Sequence, residues 1–191
     1  MGFVSILGFT HKLIEERVKS GETAIDATAG NGVDTAFLAR IVGPEGTVHA
    51  FDIQQQALDH TAARIAKEHP DTNVMLHLCS HAELLRVIPQ DQHGLVAAVM
   101  FNLGYLPGAD HATITQPGST VTALEAAARL IRRGGIITAV LYTGHPGGEE
   151  EAAAVEQWAS ELPQKQFQVL QYRFMNQINR PPYLIAVEKR L

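Results

Sequence analysis

The chain has 191 residues, 46% of them apolar, which suits one compact domain of residues 1–191; at that length a fold buries roughly 70% of the surface of the extended chain. A net charge of −5 excludes indiscriminate nucleic-acid binding, which needs a strongly basic face, and the single cysteine, Cys79, excludes an internal disulfide or a cysteine-only metal site and is expected as a buried thiol. No apolar run approaches the roughly 20 residues of a membrane-spanning helix, and Met1–Phe9 lacks the basic region and small-residue cleavage pattern of a secretion signal, so a cytoplasmic protein is expected.

In chain order, the spacing of Leu7, His11, Ile14 and Val18 predicts an amphipathic helix over about 7–19, closed by Ser20-Gly21. The period then changes. Thr23–Thr28 is a short apolar run that ends in Gly30-Asn31-Gly32, and Val33 to Ile41 resumes helical spacing until Gly43-Pro44 stops it. The same alternation predicts a strand at 46–52, a helix at 55–68, a strand at 73–78, a helix at 81–88 and a strand at 95–101. After a loop at 102–118 come a helix through Arg132, a strand over 135–141, and a turn, Gly144–Gly148, that opens a helix ended by Leu162-Pro163.

Strands alternating with helices imply a parallel sheet with helices on both faces, a Rossmann-like α/β fold. Phe167–Phe174 and Tyr183–Glu188 break the alternation: both read as strands, and the sequence between them is too short for a crossover helix. They must run antiparallel. Five parallel strands followed by a terminal hairpin, seven strands in all, is the order of class I methyltransferases, whereas ordinary dinucleotide-binding domains end in another helical crossover.

Gly30 and Gly32 occupy a turn between strand and helix, where a glycine lets the backbone approach a ligand closely. Asp52 ends the next strand, twenty residues after Gly32, where its carboxylate can accept two hydrogen bonds from ribose hydroxyls. Together they imply a nucleoside ligand, with Asp26, Thr28, Asn31, Thr35 and Gln54 around the same loop. Ser80 and His81 follow the third strand, where they can bond the nitrogens of adenine, although Ser80 also suits the N-cap of the next helix. A nicotinamide dinucleotide is the rival ligand. Asp34 weighs against it, since a carboxylate in the first helical turn repels pyrophosphate and favours a cation such as a sulfonium.

The fourth strand runs into Phe101-Asn102-Leu103-Gly104-Tyr105-Leu106-Pro107-Gly108, which resembles the Asn-Pro-Pro-Tyr loop of class I enzymes that methylate nitrogen on nucleic-acid bases. In that loop the Asn oxygen accepts an N–H bond from the target nitrogen, and the aromatic ring stacks on the base. The ordered set Asp26–Thr35, Phe51–Gln54, Asn102–Gly108, Gly144–Gly148 and Asn179–Tyr183 is similar to that of one bacterial family, the tRNA 5-(aminomethyl)-2-thiouridine methyltransferases, long labelled rRNA methylases. His111 stands where relatives carry a lysine.

The resemblance implies N-methylation of the aminomethyl group on the wobble uridine of tRNA, with S-adenosylmethionine as cofactor and the anticodon stem-loop and a second copy of the chain, forming a homodimer, as partners. It implies Asn102 and Tyr105 as catalytic and substrate-contacting residues, with Leu103 and Gly104 beside the cofactor. Tyr142 and His145 are candidates near the acceptor nitrogen, His145 also as a proton acceptor, and Arg180 is a candidate contact to RNA. No metal is expected. Methylation of rRNA or of a small amine is the alternative within the same fold, and a nicotinamide-dependent oxidoreductase the alternative outside it.

Overall fold

The computed structural model describes residues 2–104 and 115–191. Among them, seven strands form one sheet: β1 (Thr23–Asp26), β2 (Thr47–Asp52), β3 (Asn73–Leu78), β4 (Val96–Leu103), β5 (Ile131–Leu141), β6 (Phe167–Tyr172) and β7 (Tyr183–Lys189). Their order is β3-β2-β1-β4-β5-β7-β6. The first five run parallel, β7 pairs antiparallel with β5, and β6 pairs antiparallel with β7. The expected terminal hairpin is therefore present, with its second strand inserted against β5.

The helices are α1 (Ile6–Glu15), α2 (Val33–Val42), α3 (Gln55–Glu68), α4 (Leu84–Val87), α5 (Pro117–Leu130) and α6 (Gly148–Glu161). Alternating side chains of the central strands feed two cores. Val99, Phe101 and Leu103 pack with Leu124 of α5 and Val155 of α6 on one face. Ala98 and Met100 pack with Ile14 of α1, Leu38 of α2 and Ile65 of α3 on the other. Among the described residues, no helix is long and apolar enough to cross a membrane.

Three of the expected helices differ from the observed ones. Helix α1 stops at Glu15, because the chain tightens at Arg17, whose amide bonds back to Ile14 O at 3.0 Å while its guanidinium grips Glu188 at 2.6 Å. Residues 81–88 divide into a 3₁₀ turn (His81–Glu83) and the single turn α4. The third helix boundary also moves: α5 ends at Leu130, two residues before Arg132. Ile131 already pairs with Val96, and the register then slips so that Ala98 meets Ile136. Gly134, at φ 71°, absorbs the irregularity. The slip frees Arg132 to pair with Glu22 at 2.8 Å, so it braces the sheet instead of ending a helix.

Candidate active site

Strand order reverses between β1 and β4, and in such sheets the crevice beyond the carboxyl ends of the strands is the ligand site. A cleft of about 530 Å³ opens there, lined from the ends of β1, β2, β3, β4 and β5. That is inside the range of roughly 300–1,000 Å³ of small-molecule pockets.

The floor is the loop between β1 and α2. Gly30 (φ 53°) and Gly32 (φ 75°) both take left-handed backbone, and a Cβ on Gly32 would stand 2.8 Å from Thr61 Cα. The loop is thus pressed onto α3, where Thr61 Oγ1 donates to Gly30 O at 3.2 Å and Arg64 Nε donates to Asn31 O at 2.9 Å. Asp52 ties it from β2, accepting from Gly30 N at 3.0 Å and from Gln54 N at 2.9 Å. Each carboxylate oxygen keeps capacity for a second donor. Thr28, Gly30, Asn31, Asp52 and Gln54 all line the cleft.

Asp26 does not line it. Fully buried beneath the loop, it accepts from Thr35 Oγ1 at 2.6 Å and from Thr28 N at 3.1 Å, so it and Thr35 form the support under the floor. Burial, reinforced by the charges of Asp34 and Asp52, pushes its carboxyl up to about 7.

At the β3 end of the cleft, Ser80 Oγ accepts from Ala82 N at 3.2 Å, so Ser80 both caps the 3₁₀ turn and lines the cleft. His81 is buried. Burial lowers its pKa and keeps the imidazole neutral, while Nε2 has no hydrogen-bond partner among the described residues. Cys79 is half-buried on the same wall, a correction to the fully buried thiol expected; desolvation pushes its pKa up and keeps the thiol protonated.

At the other end, Asn102 N donates to Thr28 Oγ1 at 2.8 Å, fixing the end of β4 against the loop. Its side-chain Nδ2 donates to Asp34 Oδ2, and the other oxygen of Asp34 meets His11 Nε2 at 2.7 Å. Asn102 Oδ1 is buried with no hydrogen-bond partner among the described residues. Tyr142, half-buried after β5, completes this wall; burial and the nearby Asp34 charge push its phenol up. Gly104 lines the cleft too, and a Cβ there would sit 3.3 Å from Tyr142 Cβ.

Other candidates lie outside the lining. Leu103 points into the core, and His145 stands behind Gly104, with its Nδ1 3.0 Å from Pro146 O. Arg180 pairs with Glu149 on the surface, with its backbone at φ 45°. Tyr105 and His111 lie outside the described residues. Sequence reasoning missed a wall made by Leu7 and His11 of α1 and by Thr115, Gln116 and Ser119 around the start of α5. The signal for His11 was a polar residue on the apolar stripe of α1. Buried Glu151 of α6, also missed, accepts from Thr115 Oγ1 and Thr120 Oγ1, both at 2.6 Å, and so holds that wall. Among the described residues no group of side chains is arranged to hold a metal.

Residues 48–188 match the model of the family described as "Putative rRNA methylase". The chain belongs to this family. A chloroplastic tRNA (mnm(5)s(2)U34)-methyltransferase of Arabidopsis thaliana is 36% identical over 94% of this chain and 68% of its own length. A solved family structure from Clostridium thermocellum is 42% identical and superposes with a TM-score of 0.94 over 99% of this chain and all of that one. A Streptococcus mutans protein described as "a putative methyltransferase", solved in complex with S-adenosylhomocysteine, is 35% identical with a TM-score of 0.88, covering 98% and 99% of the two chains. The protein is a class I, S-adenosylmethionine-dependent methyltransferase, and the nicotinamide reading is set aside.

Proposed function

We propose that the methyltransferase acts on tRNA, transferring a methyl group to the aminomethyl nitrogen of 5-aminomethyl-(2-thio)uridine at the wobble position. The observation that carries this is Asn102: a buried side-chain oxygen without a partner among the described residues, on a residue that lines the cleft at the end of β4. The Arabidopsis relative, named for that wobble nucleoside, supports the choice of acceptor.

The residues suit the cofactor. Asp52 retains acceptor capacity for ribose hydroxyls, Ser80 and His81 Nε2, unpartnered among the described residues, suit adenine, and Asp34 supplies negative charge near a sulfonium. When bound, S-adenosylmethionine supplies an electrophilic methyl group. The protein's task is to hold a neutral amine with its lone pair turned toward that group. Asn102 Oδ1 accepts one N–H of the amine, which fixes the direction of the lone pair; that pair forms the new N–C bond as the methyl–sulfur bond breaks, leaving S-adenosylhomocysteine and a secondary ammonium group whose extra proton passes to solvent water. Positioning of this kind is worth roughly 7–11 kcal/mol, against about 3–5 kcal/mol for a general base. Tyr105, Tyr142 and His145 are the proposed substrate-side residues, with Arg180 reaching the RNA of an anticodon stem-loop. We assign the protein to the cytoplasm as a homodimer.

Mass spectrometry of nucleosides from tRNA carrying the aminomethyl group tests the proposal. Incubation with enzyme and cofactor should convert aminomethyl to methylaminomethyl nucleoside. Methylation confined to rRNA, the acceptor in the family description, would instead favour the alternative.

A further inference from the structure

We infer that His11, on α1, is a positioning residue for methyl transfer: through Asp34 it holds the Asn102 amide with its oxygen turned toward the acceptor nitrogen. Nothing in the cofactor fold requires a histidine on a helix ahead of the first strand. The inference rests on the amine acceptor proposed above for its kinetic arm only.

A carboxylate can only accept hydrogen bonds, so the group that Asn102 presents to Asp34 must be its NH₂. The oxygen is thereby forced the other way, and it is the atom left without a partner among the described residues. An asparagine with no such restraint turns over about its last torsion at small cost. Turned over, it would offer N–H donors to the amine and engage the lone pair that has to attack. Asp34 therefore sets the polarity of Asn102, and whatever fixes Asp34 fixes the geometry of attack.

His11 fixes Asp34. Its Nε2 lies 2.7 Å from Oδ1 and, facing a carboxylate, must carry a proton. The imidazole is stacked on Phe37 with centroids 3.8 Å apart and planes within 12°, which fixes the plane of the ring, and the bond to Asp34 selects which edge faces the carboxylate. The helix that carries it is clamped in turn: Tyr172 Oη donates to Val4 O at 2.9 Å, and Arg17 Nη2 to Glu188 at 2.6 Å. The chain of restraint runs from the terminal hairpin through α1 to His11, Asp34 and the reacting end of the cleft.

A purely structural role, tying α1 to α2, would cost stability but leave the Asn102 amide and the turnover number alone. His11→Phe separates the two, because the ring keeps its stack on Phe37 and loses the donor; His11→Gln restores a donor near the position of Nε2. Methyl transfer to aminomethyl-bearing tRNA should show kcat down roughly tenfold or more in His11→Phe, with KM for tRNA and Kd for S-adenosylhomocysteine changed less than about threefold. His11→Gln should recover most of kcat. In ¹⁵N-labelled protein the Asn102 side-chain amide should show one strongly shifted proton in the wild type and in His11→Gln, and the shift should collapse in His11→Phe. A His11→Phe enzyme with wild-type kcat, or with an unmoved Asn102 amide, overturns the inference. Failure of the wild type to methylate the amine would defeat the proposed acceptor instead, and the amide spectrum would still decide the role of His11.

Discussion

At the end of the cleft proposed for the nucleoside the carboxylate of Asp52 already accepts from two backbone amides, whereas at the end proposed for the methyl group, the methyl end below, the side-chain oxygen of Asn102 accepts from none among the described residues. The first arrangement makes a site whose shape stands before a ligand arrives, so that cofactor contacts add to a satisfied scaffold. The second leaves a buried polar atom uncompensated, at a cost of about 1–3 kcal/mol, which a donor on the acceptor relieves. Affinity and rate should therefore be separable by position, the first set near Asp52 and the second near Asn102.

The largest effect is expected at the methyl end. Asn102→Ala should lower kcat roughly 100-fold or more, with affinity for S-adenosylhomocysteine by calorimetry within a few-fold of wild type. Near-normal turnover would erase the distinction between the two ends. Asp52→Ala should show the reverse emphasis. Loss of charge-assisted bonds worth about 1.5–3 kcal/mol each predicts affinity weaker by roughly 10- to 100-fold, with Gly30 N also losing its acceptor. Unchanged calorimetric affinity would remove Asp52 from the cofactor site.

Proton linkage provides a smaller test. The Asp26 carboxyl, with an ordinary value of 3.8, is pushed up to about 7 by burial and by Asp34 and Asp52. A raised folded-state value stabilises fully below the ordinary one, and that stabilisation is lost as pH rises through the folded one. Between about pH 4 and pH 7 the Asp26 contribution should fall. His49 and His77 act in the opposite sense. They are linked to each other at 3.0 Å, and burial pulls both below 6.5. The unfolded chain then takes up protons that the folded one refuses, and stability drops as pH falls below about 6.5. Thermal melts of cofactor-free Asp26→Asn should lose the decline toward neutral pH and keep the acid-side decline. Parallel curves for variant and wild type would contradict the protonation of Asp26. The smallest effect belongs to Arg180, whose ion pair with Glu149 is mostly exposed and worth about 0–1 kcal/mol. Arg180→Ala should raise KM for tRNA a few-fold at most and leave kcat unchanged; a large loss of kcat would extend the methyl end to the protein surface.

How much of this was legible in the sequence depended on distance along the chain. The glycine loop, Asp52 and Gln54 were readable because a turn, a strand end and a helix start each have a local signature, and so was the terminal hairpin. The links that organise the methyl end join residues 23 and 68 positions apart, His11 to Asp34 and Asn102 to Asp34. Neither pair has a local pattern. In the sequence Asp34 shows only as a charge in the first turn of a helix; in the structure that same carboxylate also bridges His11 and Asn102. The α5–β5 boundary was missed for another reason: Leu130-Ile131 continues a helical apolar stripe and begins a strand equally well, and only the bulge at Gly134 settles which.

The contact between Gly32 and Thr61 has a bearing on how such a site can diversify. At position 32 any side chain would collide with the backbone of α3 in a conformation that side chains rarely adopt, so the floor tolerates almost no drift. The rim at Gln116 and Ser119, by contrast, comes from polar side chains at the start of α5 that satisfy no buried charge, unlike Thr115, whose hydroxyl is held by Glu151, so exchange there costs the scaffold little. Descendants of one ancestral cleft can thus acquire new acceptors by substitution along that rim while inheriting the floor unchanged.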